Sequence, residues 1–96
     1  MNIGREKERV EVKKSTAEKR EGLNSMASIL NKHGNGTLYF GVLDNGDVVG
    51  QQLGKNTTQD LVREINLYLK PTPYFEINTH NTEEGLPFIE IIFSGD

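Results

Sequence analysis

Cysteine is absent from this 96-residue chain. Neither a disulfide framework nor a thiolate metal site can therefore hold the fold or take part in chemistry, which fits a reducing compartment. No stretch approaches the ~20 apolar residues of a membrane span, and residues 1–9 are charged, without the apolar run of an export signal. The expectation is a cytoplasmic protein with no membrane partner. Histidine is scarce: His33 and His80 have no second His or Cys at ligand spacing, which argues against zinc. None of Ser15, Ser25, Ser28 and Ser94 lies in a Gly-x-Ser-x-Gly context, so a Ser-His-Asp hydrolase lacks its elbow. Gly54-Lys55-Asn56 lacks the hydroxyl and the upstream glycine of a Walker A loop. The glycines at 34 and 36 precede a strand and follow a helix, the reverse of a Rossmann fingerprint.

What is present amounts to one domain. Ninety-six residues suffice for two helices against a sheet but not for two independent cores. Hydrophobic content is only 34%, yet the apolar residues fall into periodic segments, as a folded chain requires. Val10 and Val12 alternate with charges over residues 9–14 and predict a strand with both valines toward the core. Ser15 and Thr16 are capping residues for a helix over roughly 17–32, in which Leu23, Met26, Ala27 and Leu30 recur until Gly34 stops it. Residues 37–42 read as a strand, and Asp44-Asn45-Gly46-Asp47 as a tight turn into a short return strand at 48–50. Thr57 or Thr58 can cap a second helix over roughly 58–69, with an apolar stripe of Leu61, Val62, Ile65, Tyr68 and Leu69. Pro71 and Pro73 forbid its continuation, and residues 74–79 and 87–93 are two further strands. The expected fold is α+β, a mixed sheet with two helices in the order β-α-β-β-α-β-β. A halt straight after a strand, at Phe93-Ser94-Gly95-Asp96, reads as a domain excised from a longer protein.

Three constellations could carry chemistry. Glu11 and Lys13 share one strand parity, and Glu6, folding back, could join Glu11 and Asp44 to bind Mg2+ or Mn2+, hard ions that activate water against a phosphodiester. The plain alternative is that Glu6, Glu8 and Glu11 are exposed faces of a charged strand. The turn His33-Gly34-Asn35-Gly36-Thr37 could offer amides to a phosphate, or simply end the helix. Tyr39, on the strand face opposite Leu38 and Phe40, could stack on a base. Charge supplies a further cue. Residues 1–36 hold eight Lys/Arg against five Glu, a net +3, whereas residues 37–96 hold three against nine acids, a net −6. Such asymmetry hints at a polyanion-facing end.

At these residues the sequence resembles the Schlafen AlbA-like domain family, found at the N-terminus of bacterial regulators described as divergent AAA or helicase-related proteins. Three blocks carry the resemblance: Glu6-(x4)-Glu11-Val12-Lys13; Ala27-x3-Asn31-Lys32-His33-Gly34-Asn35-Gly36-Thr37-Leu38-Tyr39-Phe40-Gly41-Val42; and Asn45-Gly46-Asp47-Val48-Val49-Gly50. It covers nearly the whole chain and implies an Alba-like fold and nucleic-acid binding. In animal members it also implies a metal-dependent endoribonuclease, whose glutamates would be Glu6 and Glu11. Relatives often carry two acids after Gly41-Val42, whereas here Leu43 takes the first place and Asp44 the second.

The leading expectation is a non-catalytic DNA-binding module of a bacterial transcriptional regulator or helicase-related protein, which needs no cofactor. Lys13, Lys14, Lys19, Arg20 and Lys32 would meet phosphates, with Asn31, His33 and Tyr39 nearby. DNA stands ahead of RNA as partner, and further C-terminal domains of the same chain are expected. The alternative is the Mg2+- or Mn2+-dependent nuclease of Glu6, Glu11 and Asp44. A third reading is an interaction module that forms a homodimer through exposed sheet edges.

Overall fold

The computed structural model describes residues 1–5 and 7–95. Among these the elements are β1 (Val10–Lys13), a 3₁₀ turn (Thr16–Glu18), α1 (Lys19–His33), β2 (Asn35–Phe40), α2 (Thr57–Tyr68), β3 (Tyr74–Asn81) and β4 (Pro87–Ser94). The four strands form one mixed sheet in the order β1-β2-β4-β3. β1 runs parallel to β2, and β4 pairs antiparallel with both β2 and β3. The α+β class and the mixed sheet agree with the sequence reading.

Strand alternation sorts the side chains into two layers. Leu38 and Phe40 of β2 lie beside Ile91 and Ile89 of β4, and all four are buried under Leu23, Met26 and Ile29 of α1 and Leu61, Ile65 and Leu69 at α2. This is the main core. The opposite sheet face carries a smaller cluster of Val12, Val42, Val48 and Phe88, against which Ile3 and Tyr39 pack. Val12 is thus buried as expected, but beneath the N-terminal segment rather than beneath the helices. Glu11 pairs with Leu38 and Lys13 with Phe40, so both charged residues stand on the helix side of the sheet, at its edge.

Local chemistry explains the boundaries. Ser15 Oγ accepts from the Ala17 N–H and caps the 3₁₀ turn that leads into α1. Gly34 ends α1 in the left-handed region, with φ 81°, and donates its N–H to the Leu30 carbonyl at 3.0 Å. The chain enters β2 at once, so Asn35 is a strand residue that needs no left-handed backbone. The cap of α2 differs from expectation. Thr57 is the first helical residue, and its hydroxyl accepts the Gly54 N–H at 2.8 Å while Asn56 holds the cap position. Its buried stripe is also narrower than the sequence implied: Leu61, Ile65 and Leu69 recur every fourth residue, whereas Val62 and Tyr68 are exposed.

The return strand at 48–50 is reduced to an isolated bridge between Val42 and Val48. Three competing bonds cause this. Val48 donates to the Met1 carbonyl, and Val49 and Gly50 both donate to the Gly41 carbonyl, which curls the chain away before a ladder can extend. The N-terminal residues take the vacated position, with Asn2 bridging Asp47 and Ile3 donating to Gly46.

Candidate nucleic-acid interface

The edge strand β1 and the C-terminal half of α1 enclose a polar cleft of about 360 Å³. Ser25, Ser28 and Lys32 fall on one stripe of α1, as spacings of three and four residues dictate, and line it together with Lys7 and His33. Lys32 and His33 occupy the last turn of the helix, where positive charge is favoured by the backbone dipoles. Two acids temper the cleft. Glu8 lies 3.8 Å from His33 Nε2, and Glu11 lies 3.7 Å from Lys13 Nζ. Arg9 donates to Asn35 Oδ1 at 3.4 Å across the same end of the sheet. Asn31 is exposed and lines a different hollow, on the side of α1 toward the end of α2.

A second hollow, of about 280 Å³, opens at the C-terminal end of β1. Lys13, Lys14, Glu18, Leu43 and Asp44 line it. Glu11 and Asp44 therefore border different clefts, and Lys13, whose ammonium pairs with Glu11, belongs to the one beside Asp44. Glu6, the remaining carboxylate of the expected metal trio, lies outside the described residues. Among the described residues no group of three or more His, Cys, Asp or Glu side chains is placed to hold a metal ion.

The cations singled out in the sequence fall into two sets. Lys13 is tied to Glu11, and Lys19 to Glu64 of α2 at 2.6 Å, an ion pair that clamps the two helices. Those two have structural employment. Arg20 stacks its guanidinium 4.1 Å over the ring of Tyr68. Lys14 and Lys32 are exposed, and neither has an acid within ion-pair distance among the described residues.

Tyr39 sits on the sheet face away from the helices, as its parity required, but its ring packs against Phe88 and its hydroxyl donates to Glu90 Oε2 at 3.1 Å. Glu90 is the hub of a polar cluster that sequence reasoning missed. Its other carboxylate oxygen lies 2.9 Å from His80 Nε2 and accepts from Asn78 Nδ2 at 3.3 Å. Burial acts to raise the Glu90 carboxyl, but the hydrogen bonds from His80, Asn78 and Tyr39, with the charge of His80, outweigh it and hold the group below its ordinary value. Burial first, then the Glu90 charge and hydrogen bond, push the Tyr39 phenol up. The strand registers that join β2, β4 and β3 create this cluster, Tyr39 facing Glu90 and Glu90 facing Asn78. Its only trace in the sequence is the alternation of Phe88, Glu90 and Ile92 with the core residues Ile89, Ile91 and Phe93.

The strand order also sorts charge in space. β1 forms one edge of the sheet and β3 the other, so Lys7, Lys14 and Lys32 stand on one side, interspersed with Glu8, Glu11, Glu18 and Asp44, and the β3–β4 hairpin, with Glu76, Glu83, Glu84 and Glu90, on the opposite side, where Glu84 also lies 4.0 Å from the Met1 ammonium.

A mixed four-stranded sheet with both helices on one face and an edge strand flanked by lysines and glutamates define a small α+β domain. A family model described as Schlafen, AlbA_2 matches residues 6–94, and the chain belongs to that family. Membership points to a nucleic-acid-related function. A comparison with curated proteins finds no match. No helix among the described residues is long and apolar enough to cross a membrane.

Proposed function

We propose that this domain binds nucleic acid without cleaving it, DNA ahead of RNA, as a module of a longer regulatory or helicase-related protein. The observation that carries the reading is that Lys14 and Lys32 are exposed on the β1 side with no acid in ion-pair distance among the described residues, while the β3–β4 hairpin on the other side carries Glu76, Glu83, Glu84 and Glu90. A polyanion approaching the β1 edge meets these cations together with Lys7, while the acidic hairpin repels it and so orients it. Contacts of this kind position a nucleic-acid strand by its phosphates and carry little sequence information. Lys13 and Lys19 contribute through the fold instead, since each already holds a carboxylate.

The test is a fluorescence anisotropy titration of duplex and single-stranded oligonucleotides at about 50 and about 200 mM salt. With three or four phosphate contacts, log affinity should fall against log salt with a slope of about −3. Affinity that ignores salt, or no binding at the lower concentration, would defeat the proposal. Mn2+-dependent loss of an RNA substrate that Glu11→Gln abolishes would instead favour the nuclease.

A further inference from the structure

Apart from the polar cleft at β1, the molecule carries a hollow of about 380 Å³ between α1, the end of α2 and the start of β3. Its walls are of two kinds. Tyr68 and Tyr74 present aromatic rings, 48% and 71% exposed, which burial in the core does not explain. Ala27 and Leu30 give it an apolar floor, while Asn31 and Lys70 stand at its margin. Neither the Asn31 amide nor the Lys70 ammonium has a side-chain partner among the described residues. The Thr72 hydroxyl, by contrast, is engaged with the Leu69 carbonyl at 3.1 Å.

We infer that this hollow receives an unpaired nucleobase of a single strand whose phosphate lies on Lys32, at the margin of the neighbouring polar cleft. The inference rests on the nucleic-acid reading above and names the form of the ligand. Two exposed rings and an apolar floor match the faces of a base, which stack on aromatics whatever the sequence. An unengaged amide can both donate to and accept from a base edge. The cation complements the phosphate that accompanies it. Arg20, stacked on Tyr68, holds that ring in place.

Position supports the same assignment. The C-terminal half of α1 is the wall between the two hollows: Ala27, Leu30 and Asn31 face the aromatic one, and Ser25, Ser28 and Lys32 face the polar one. Asn31 and Lys32 are consecutive, so a strand crossing this ridge can set a phosphate on Lys32 and turn its base toward Tyr68 and Tyr74. A base inside a duplex is stacked and paired and cannot make that turn.

The experiment compares an oligo-dT strand with an abasic strand of equal length, each titrated against the native domain and against Tyr74→Ala, Tyr74→Phe and Tyr68→Ala. Both tyrosines are exposed, and circular dichroism checks that each variant folds. The native domain should bind dT about tenfold or more tightly than the abasic strand. Tyr74→Ala should lose most of that advantage while its abasic affinity and salt slope stay unchanged, and Tyr74→Phe should keep it. An oligo-rU strand run alongside should show the same loss if the base is carried on RNA. Equal binding of dT and abasic strands, or tyrosine variants that bind dT as the native domain does, would overturn the base site and leave the phosphate reading intact. Failure of every strand to bind would remove both.

Discussion

A Cβ added at Gly36 would lie 2.6 Å from Ile29 Cγ2 and 2.8 Å from the Arg9 carbonyl oxygen, so this residue is glycine because α1 and β1 close over it. Gly36→Ala should cost about 1–3 kcal/mol by overpacking. Gly34→Ala meets nothing in space but must hold φ at 81°, which should cost about 1–2 kcal/mol. Urea denaturation of both variants separates a steric cause from a conformational one, since a larger residue at 36 should worsen the loss and one at 34 should not. Glu90 makes a second prediction at this scale. Its carboxyl is held low in the folded state, so its contribution to stability is present above the unfolded value and is lost as pH falls through the folded one. Glu90→Gln should therefore flatten the acid limb of a stability-against-pH curve measured by urea midpoints. The glycine pair was legible as a turn, but the two glycines serve different ends, and only the packing of Ile29 and Phe93 around Gly36 shows it.

Among the elements, α2 shows most clearly how far periodicity reaches. Its existence follows from an apolar stripe and from the prolines beyond it, and the observed Thr57–Tyr68 lies within one residue of the expected range at each end. Membership of the stripe was less legible, because Val62 and Tyr68 satisfy helical spacing from Leu61 and Ile65 yet lie beyond the strip that the sheet covers. Ile65→Ala, at a fully buried position, should cost about 2–5 kcal/mol. Val62→Ala, 39% exposed, should stay within about 0.5 kcal/mol. Thermal or urea melts of the pair check this. The return strand at 48–50 went the other way: its turn was read correctly from Asp44-Asn45-Gly46-Asp47, but the N-terminal residues compete for its hydrogen bonds. A contact between Met1 and Val48 leaves no periodic mark at either place.

Across the whole molecule, β1 and β3 lie on opposite edges of the sheet, which separates Lys14 and Lys32 from the acids of the β3–β4 hairpin. Lys14→Ala and Lys32→Ala should each weaken nucleic-acid binding uniformly across sequences and reduce the salt slope by about one. Arg63→Ala on α2, where the guanidinium already pairs with Asp60, should leave that slope unchanged. Anisotropy titrations over a series of salt concentrations measure all three. The sequence by itself determined the element types, the helix stop at Gly34 and the net charge of each half, because these depend on neighbours a few residues away. Only the tertiary structure decided which lysines are consumed in ion pairs, that Tyr39 belongs to Glu90, and that Tyr68 and Tyr74 share a hollow. Those outcomes depend on strand register and helix docking, which join residues far apart in the chain and so cannot be read from any local window.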